Sequence, residues 1–394
     1  MKDIVLVSAA RTAVGDFGGA LAGLTPTELG VATAKEAIAR AGLTPTDIGQ
    51  AFYGNVIHTE PRDMYVSRTI AIETGMAHNT PALTVNRLCG SGLQAIVSAV
   101  QALAMGDTDT AIAGGTESMS RAGYLIPSAR WGQKMGDSTA IDMMTAVLTD
   151  PFGHGHMGVT AENVAEKYGI SRETQDAFAV ESHRRAAAAI EAGYFDEQIV
   201  PITLKTRKGE VVFKTDEHVR PDASVENMAK LRAVFKKDGK VTAGNASGIN
   251  DGAASVVLMT GDAAAARGVA PMARVVAYGH AGVDPAYMGI GPVPAMQVAL
   301  EKAGLSVDDL DVIESNEAFA AQACAVSAEL NLNPAKVNPN GGAVALGHPI
   351  GASGAVITTK LLYELKRTGG RYGAATMCIG GGQGIALIVE NLTA

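Results

Sequence analysis

Two kinds of apolar segment alternate along the chain. Short runs such as "ALTV" before Asn86 are too brief for helices and read as strands. Longer stretches repeat their apolar residues at helical spacing, and "GLQAIVSAVQALAMG" from Gly92 is apolar on almost every side. The segment "SRETQDAFAVESHRRAAAAI" opens on Ser171 with Thr174 and Gln175 behind it, and "EAGYF" supplies a glycine stop. Strands alternating with helices predict an α/β protein built mostly of parallel sheets with helix cover.

The pattern also repeats. "EAIARAGLTPTDIGQAFYGNV" from Glu36 is echoed by "VALEKAGLSVDDLDVIESNEAF" from Val298, an offset of 304 − 42 = 262 between their Ala-Gly-Leu stops. "TVNRLCGSG" is paired with "KVNPNGGAV" (338 − 86 = 252), and "DTAIAGGTES" with "AATMCIGGGQG". Three echoes in order predict two halves of the same topology. The first half covers residues 1–119 and 249–269, the second 270–394, and 120–248 is read as an inserted loop domain. That insertion carries Trp131 and the basic run "KTRKGEVVFK".

Composition narrows the choices. The 394 residues are 47% hydrophobic and 18% charged, with 46 glycines, which suits a compact fold and not a disordered chain. A net charge of −8 leaves no basic footprint for nucleic acid. The opening "MKDIVLVSAARTAVG" meets Arg11 too early for a signal peptide, and nowhere are about 18 apolar residues expected to run without a charge, so no membrane span is expected. Cys89, Cys324 and Cys378 are sparse and odd in number, as expected of reduced thiols in a cytoplasmic protein.

Four stretches are candidates for chemistry. Cys89 in "VNRLCGSGLQA" falls on a strand-to-helix turn, where free N–H groups and the helix dipole are expected to lower a thiol pKa. Gly90 and Gly92 permit a sharp turn there. His348, between Gly347 and Pro349, offers an imidazole for taking a thiol proton, with turn capping as the structural alternative. Cys378 ends a strand before three glycines, a place for a resolving thiol, a proton carrier or core filler. Asn316 and Glu317 stand where a strand yields to a helix, either to cap it or to orient a water or oxyanion. Cys324 is read as core, and His154 and His156 lack partners for a metal site.

Taken together, these stretches resemble the thiolase family of CoA-dependent acyltransferases. The likeness runs over essentially the whole chain: "SAARTAVGDFGG", "GNV", "NRLCGSG", "GGTESMS", "HMGVTAEN", "VTAGNASGINDGAA", "NEAFA", "GGAVALGHPIGASGA" and "CIGGGQG". The resemblance implies a thiolase fold of two similar αβαβαββ halves in a five-layered α/β/α/β/α core. It implies an acetyl-CoA C-acetyltransferase or 3-ketoacyl-CoA thiolase, joining two acetyl-CoA into acetoacetyl-CoA or running in reverse. Cys89 would carry the acyl group, His348 would activate it, and Cys378 would exchange the α-carbon proton. Asn316 would hold a water that forms one oxyanion hole with His348; the N–H groups of Cys89 and Gly380 would form the other. CoA would meet Leu148, His156, Met157, Arg220, Phe235, Ala243, Gly244 and Ser247, and the acyl group Met288, Ala318 and Phe319.

The family pattern further implies no metal or redox cofactor, CoA serving only as substrate and product, and a homotetramer joined through "YLIPSARWGQKMGD". Fatty acid or polyhydroxyalkanoate metabolism is the implied setting. Ser315 and Asn227 depart from the family's usual residues, at the water network and at the adenine side. "TEPRDMY" and "YGHAGVDPAYMGIGPVPA" look most like bacterial β-ketothiolases that accept chains longer than acetoacetyl. A ketoacyl synthase is disfavoured because Cys378 occupies the place of one of that class's histidines or its asparagine. A non-catalytic thiolase-like protein is disfavoured because every catalytic position is filled.

Overall fold

The structure, a computed structural model, describes residues 3–207 and 209–393. The first half runs β1 (Ile4–Thr12), α1 (Pro26–Arg40), β2 (Gln50–Gly54), α2 (Val66–Thr74), β3 (Ala82–Val85), α3 (Ser91–Met105) and β4 (Thr110–Ser118). There the chain leaves the sheet, forms α4 (Met157–Lys167) and α5 (Arg172–Glu191) among other short pieces, and returns as β5 (Asn250–Thr260). The second half runs β6 (Ala273–Gly282), α6 (Pro292–Ala303), β7 (Val312–Ser315), α7 (Ala320–Glu329), α8 (Ile350–Thr368), β8 (Tyr372–Ile379) and β9 (Gln383–Asn391).

These strands form one sheet in the order β7-β8-β9-β6-β1-β5-β4-β2-β3. Its two halves meet where β1 pairs with β6, Val5 opposite Arg274 and Leu6 opposite Ala273. The mostly parallel sheets expected from the sequence are corrected: among the described residues β2–β3, β2–β4, β7–β8 and the short pairing of β1 with Ile199–Val200 run parallel, and the other strand pairings are antiparallel. β8 turns directly into β9 through Gly381 and Gly382, both at positive φ, so those strands must be antiparallel. β4 and β5 pair antiparallel although the whole insertion separates them.

The two halves share one topology, with helices in three of five layers. α3 and α8 lie between the sheet halves, sharing a core with apolar residues of β4, β5, β8 and β9. α1 and α2 cover one outer face and α6 and α7 the other. This placement corrects one sequence reading: Leu88–Met105 is an uncharged stretch of 18 residues with a hydropathy of 1.5. It is apolar all round because α3 is a middle layer, packed on several sides by protein.

α3 and α8 cross through glycines. A Cβ on Gly92 would lie 2.9 Å from the nitrogen of Ala355, and one on Gly354 2.2 Å from that of Leu93. The reciprocity makes Gly92 and Gly354 counterparts, at 354 − 92 = 262, the offset of the first echo. The second echo is thereby corrected: the counterpart of the Cys-Gly-Ser-Gly turn at 89–92 is Gly-Ala-Ser-Gly at 351–354, not the segment around Asn338.

Candidate active site

The turn ahead of α3 is strained. Leu88 adopts φ 46°, a left-handed conformation that costs a non-glycine residue ~1 kcal/mol or more. Ser91 Oγ holds it by donating to the Leu88 carbonyl at 2.6 Å and accepting the Arg87 N–H at 2.8 Å. Arg87 in turn donates to Gln94 and to Gln383, which begins β9 beyond the glycine turn. Cys89 is thus presented half-buried at the start of α3.

Cys89 opens into a cavity of about 550 Å³. His348, Cys378 and Gly380 line the same cavity, so groups from turns far apart in sequence converge on it. The expected lowering of the Cys89 pKa is corrected. Burial pushes the thiol up to about 11, although the N–H groups of Gly380 and of Cys89 itself point at the sulfur and oppose that rise. Desolvation outweighs the helix terminus, so the resting group is a neutral thiol. Cys378 is raised still further, by burial first and by the neighbouring Cys89 second.

His348 is buried, and burial pushes its pKa down to about 4, which leaves a neutral imidazole near pH 7. Its backbone N–H donates to Asn250 Oδ1 at 2.8 Å, tying the turn to β5. Gly347, at φ 100°, is needed there: a Cβ would lie 2.5 Å from the Asn250 side chain. Asn316 follows the last residue of β7, and its Nδ2 lies 3.5 Å from His348 Nε2. Asn316 Oδ1 is buried without a hydrogen-bond partner among the described residues. Asn316 does not line the large cavity; it faces a small chamber of about 20 Å³ behind His348, beside Ser315 and Ser353.

The outer part of the cavity is apolar. His156 stacks on Phe235 at 4.8 Å between ring centroids, and Phe235 meets Phe319 edge-on at 6.3 Å. His156 also caps α4, its Nδ1 accepting the Gly158 N–H at 3.0 Å. Gly158 is required because a Cβ would lie 2.2 Å from the Phe235 ring. Leu148, Met157, Ala243, Ser247, Met288 and Ala318 complete this lining among the residues singled out from sequence. Ser247 is stitched to the Ala318 carbonyl through both its N–H and its hydroxyl, at 3.0 Å each.

Two singled-out residues stand off the wall. Gly244 faces Met228 and Leu231, where a Cβ would lie 2.5 Å from each side chain. Arg220 is exposed and reaches Asp16 Oδ2 at 3.3 Å, placing it at the rim through a cavity-lining carboxylate. Asn227 is exposed and accepts a hydrogen bond from Lys230, away from the cavity. Cys324, read as core, is half-buried and lines a second cavity of about 290 Å³ with Glu317 and Asn338, because α7 leaves a gap against α5 there.

Sequence reasoning missed other wall residues: Asp16 and Phe17, the His218 bonded to Asp16, Met119, Thr242 and Ile350. "GDFGG", "GGTESMS" and "GHPIGASG" were noticed as motifs, but nothing in them marks a single side chain as facing a cleft.

The geometry defines a class of site: two thiols and a neutral imidazole at the inner end of an apolar, aromatic-walled cleft. Residues 4–262 match the family described as thiolase, N-terminal domain, and residues 269–391 match thiolase, C-terminal domain. The chain belongs to the thiolase family. It is 63% identical to beta-ketothiolase BktB of Cupriavidus necator, over 99% of this chain and 100% of that one. It is 50% identical to an acetyl-CoA acetyltransferase of Thiocystis violacea, with 99% of both chains covered. Human mitochondrial 3-ketoacyl-CoA thiolase in complex with CoA superposes with a TM-score of 0.96 at 45% identity, over 99% of this chain and 98% of that one.

Proposed function

We propose that this chain is an acetyl-CoA C-acetyltransferase that forms or splits short 3-ketoacyl-CoA through an acyl group on Cys89. One observation carries the reading: Cys89, His348, Cys378 and Gly380, from turns far apart in sequence, line one cleft, where the N–H groups of Gly380 and Cys89 are assigned to the acyl oxygen. Two fixed donors at a nucleophile make an oxyanion hole once the sulfur is acylated.

In the cleavage direction the neutral thiol of Cys89 gives its proton to His348 as sulfur bonds to the ketone carbon. His348 stands beside the forming charge, with Asn316 3.5 Å behind it. The carbon–carbon bond breaks, and its electron pair becomes the enolate of acetyl-CoA. Cys378, kept protonated by burial, gives that enolate its proton. After acetyl-CoA departs, CoA thiol returns a proton to the Cys378 thiolate and attacks the acyl-cysteine. Acyl-CoA leaves, and His348 reprotonates Cys89, so every proton is restored. No step calls for a metal or redox cofactor.

The aromatic and methionine wall suits a pantetheine arm and a short acyl chain. Leu148, His156, Met157, Phe235, Ala243 and Ser247 are assigned to the arm, Met288, Ala318 and Phe319 to the acyl end. Arg220, at the rim, is assigned to the charged end of CoA. A cytoplasmic homotetramer is the form proposed. Its support is the exposed Tyr124, Leu125, Ile126, Trp131 and Met135, an apolar strip on the insertion. Turnover on acetoacetyl-CoA and 3-ketovaleryl-CoA tests the reading: cleavage of the first is required, and cleavage of the second establishes tolerance for the longer chain. Absence of CoA-dependent cleavage of either overturns it.

A further inference from the structure

Glu117, next to last in β4, is fully buried and lines neither of the two larger cavities. Its Oε1 accepts the Ile57 N–H at 3.0 Å and the Asn55 amide at 3.2 Å. Its Oε2 accepts the Val56 N–H at 3.1 Å and the Gly351 N–H at 2.8 Å. All four partners are donors, so the geometry suits the ionised carboxylate. With no cation beside it among the described residues, burial pushes the acid up to about 8, and the N–H groups of Ile57, Gly351 and Val56 oppose that rise.

Of these four bonds, the one to Gly351 crosses between the halves. It lies three residues past His348, on the helix whose N-terminus sets that imidazole. The fit leaves no slack: a Cβ on Gly351 would lie 2.4 Å from Glu117 Oε2 and 3.1 Å from the Asn55 Cα. A Cβ on Gly115, two residues earlier on β4, would lie 2.1 Å from the Gly351 carbonyl. Directly over this knot, Ile57, Met119 and Ile350 pack with Cys89. By the 262-residue offset Gly351 is the counterpart of Cys89 itself, and Glu117 that of Ile379. Ile379 packs against Gly90 at the start of α3 as Glu117 packs against Gly351 at the start of α8. One half closes this junction with a hydrocarbon, the other with a hydrogen-bonded carboxyl group.

We propose that Glu117 is a positioning residue for the acyl transfer, its carboxylate holding the His348 turn of one half in register with the Cys89 turn of the other. This rests on the reading of Cys89 and His348 given above. A misplacement of about 1 Å between reacting groups costs on the order of a hundredfold in rate, which is the leverage available to such a clamp.

The test is Glu117→Gln, which keeps the shape but sets an amide donor against backbone donors. Acetoacetyl-CoA thiolysis is measured for kcat and KM, and iodoacetamide alkylation of Cys89 is followed alongside. The expected result is a kcat lowered about 10- to 100-fold, KM values within threefold, and alkylation no slower than in the unaltered protein. Removal of a negative charge near Cys89 favours its thiolate, so a slower turnover with an undiminished thiol separates misplacement from collapse. Asn55→Ala, which removes one of the four donors and is the milder change, is expected to lower kcat several-fold with the same unchanged KM. Unchanged kcat in both variants overturns the proposal. So does a joint loss of kcat, substrate affinity and alkylation, which marks Glu117 as a general structural support. Inactivity of the unaltered protein counts against the thiolase reading instead.

Discussion

Ser353 Oγ lies 2.6 Å from His348 Nδ1 and donates its own proton to the Pro349 carbonyl at 2.9 Å. A hydroxyl that has given its proton away can only accept, so Nδ1 carries the imidazole hydrogen. Nε2 is left with the lone pair, on the side of Asn316. Ser353→Ala removes this orientation at a cost of ~1 kcal/mol, roughly a fivefold fall in kcat. Steady-state thiolysis checks it, with KM expected to stay constant.

The pH dependence follows from burial. His348 is pushed down to about 4 and accepts a proton only above that value. The acid limb of kcat/KM is therefore expected near pH 4, not near the ordinary histidine value of about 6.5. Cys89 is pushed up to about 11, so iodoacetamide alkylation of the free protein should rise tenfold per pH unit through the alkaline range. A plateau already reached at pH 8 would contradict the buried neutral thiol.

Cys378→Ala separates the two halves of the reaction. Acyl exchange between acetyl-CoA and labelled CoA needs Cys89 and His348 alone and should persist. Thiolysis, which needs a proton for the enolate, should fall about 10²- to 10⁴-fold. Isotope exchange and thiolysis measured on one preparation decide it.

Lys360 and Glu314 form a buried ion pair at 2.7 Å in the wall of the Asn316 chamber. Lys360→Met strands the carboxylate and should destabilise the fold by ~3–5 kcal/mol. Burial already pushes Glu314 up to about 7, against the opposing pull of Lys360. Because the folded value exceeds the unfolded one, this group's contribution is complete below about pH 4.5 and is lost as pH rises through 7. Without Lys360 the folded value climbs further, so the deficit of the variant should widen with pH. Denaturant melts at pH 5 and pH 8 measure that difference.

Trp131 and Met135 project into solvent at 88% and 89% exposure. If this strip joins two dimers, Trp131→Glu with Met135→Glu should halve the particle mass in light scattering while thiolysis per chain persists. An unchanged mass removes the strip from the assembly.

Much of the site was legible in the sequence because glycine leaves a mark. Cys89 and His348 sit among glycines that the structure requires for close approach, as Gly347 beside Asn250 makes plain. Gly158 marks His156 in the same way, since only a bare backbone admits the Phe235 ring. Asp16, His218 and Ile350 leave no such mark, because a side chain's direction depends on partners hundreds of positions away. The second echo misled at its turn alone: Val337 pairs with β7 in parallel as β3 does with β2, but the counterpart of the Cys89 turn is fixed by the crossing of α3 and α8.

Local periodicity and turn chemistry therefore determined the alternating elements, the repeat, and the turns on which reactive groups stand, since each depends on neighbours within a few residues. Tertiary structure alone decided the antiparallel pairings, the knot at Glu117 and the protonation states at rest. A helix terminus draws a thiol pKa downward, but burial between two halves raises it more, and burial is a property of the folded whole.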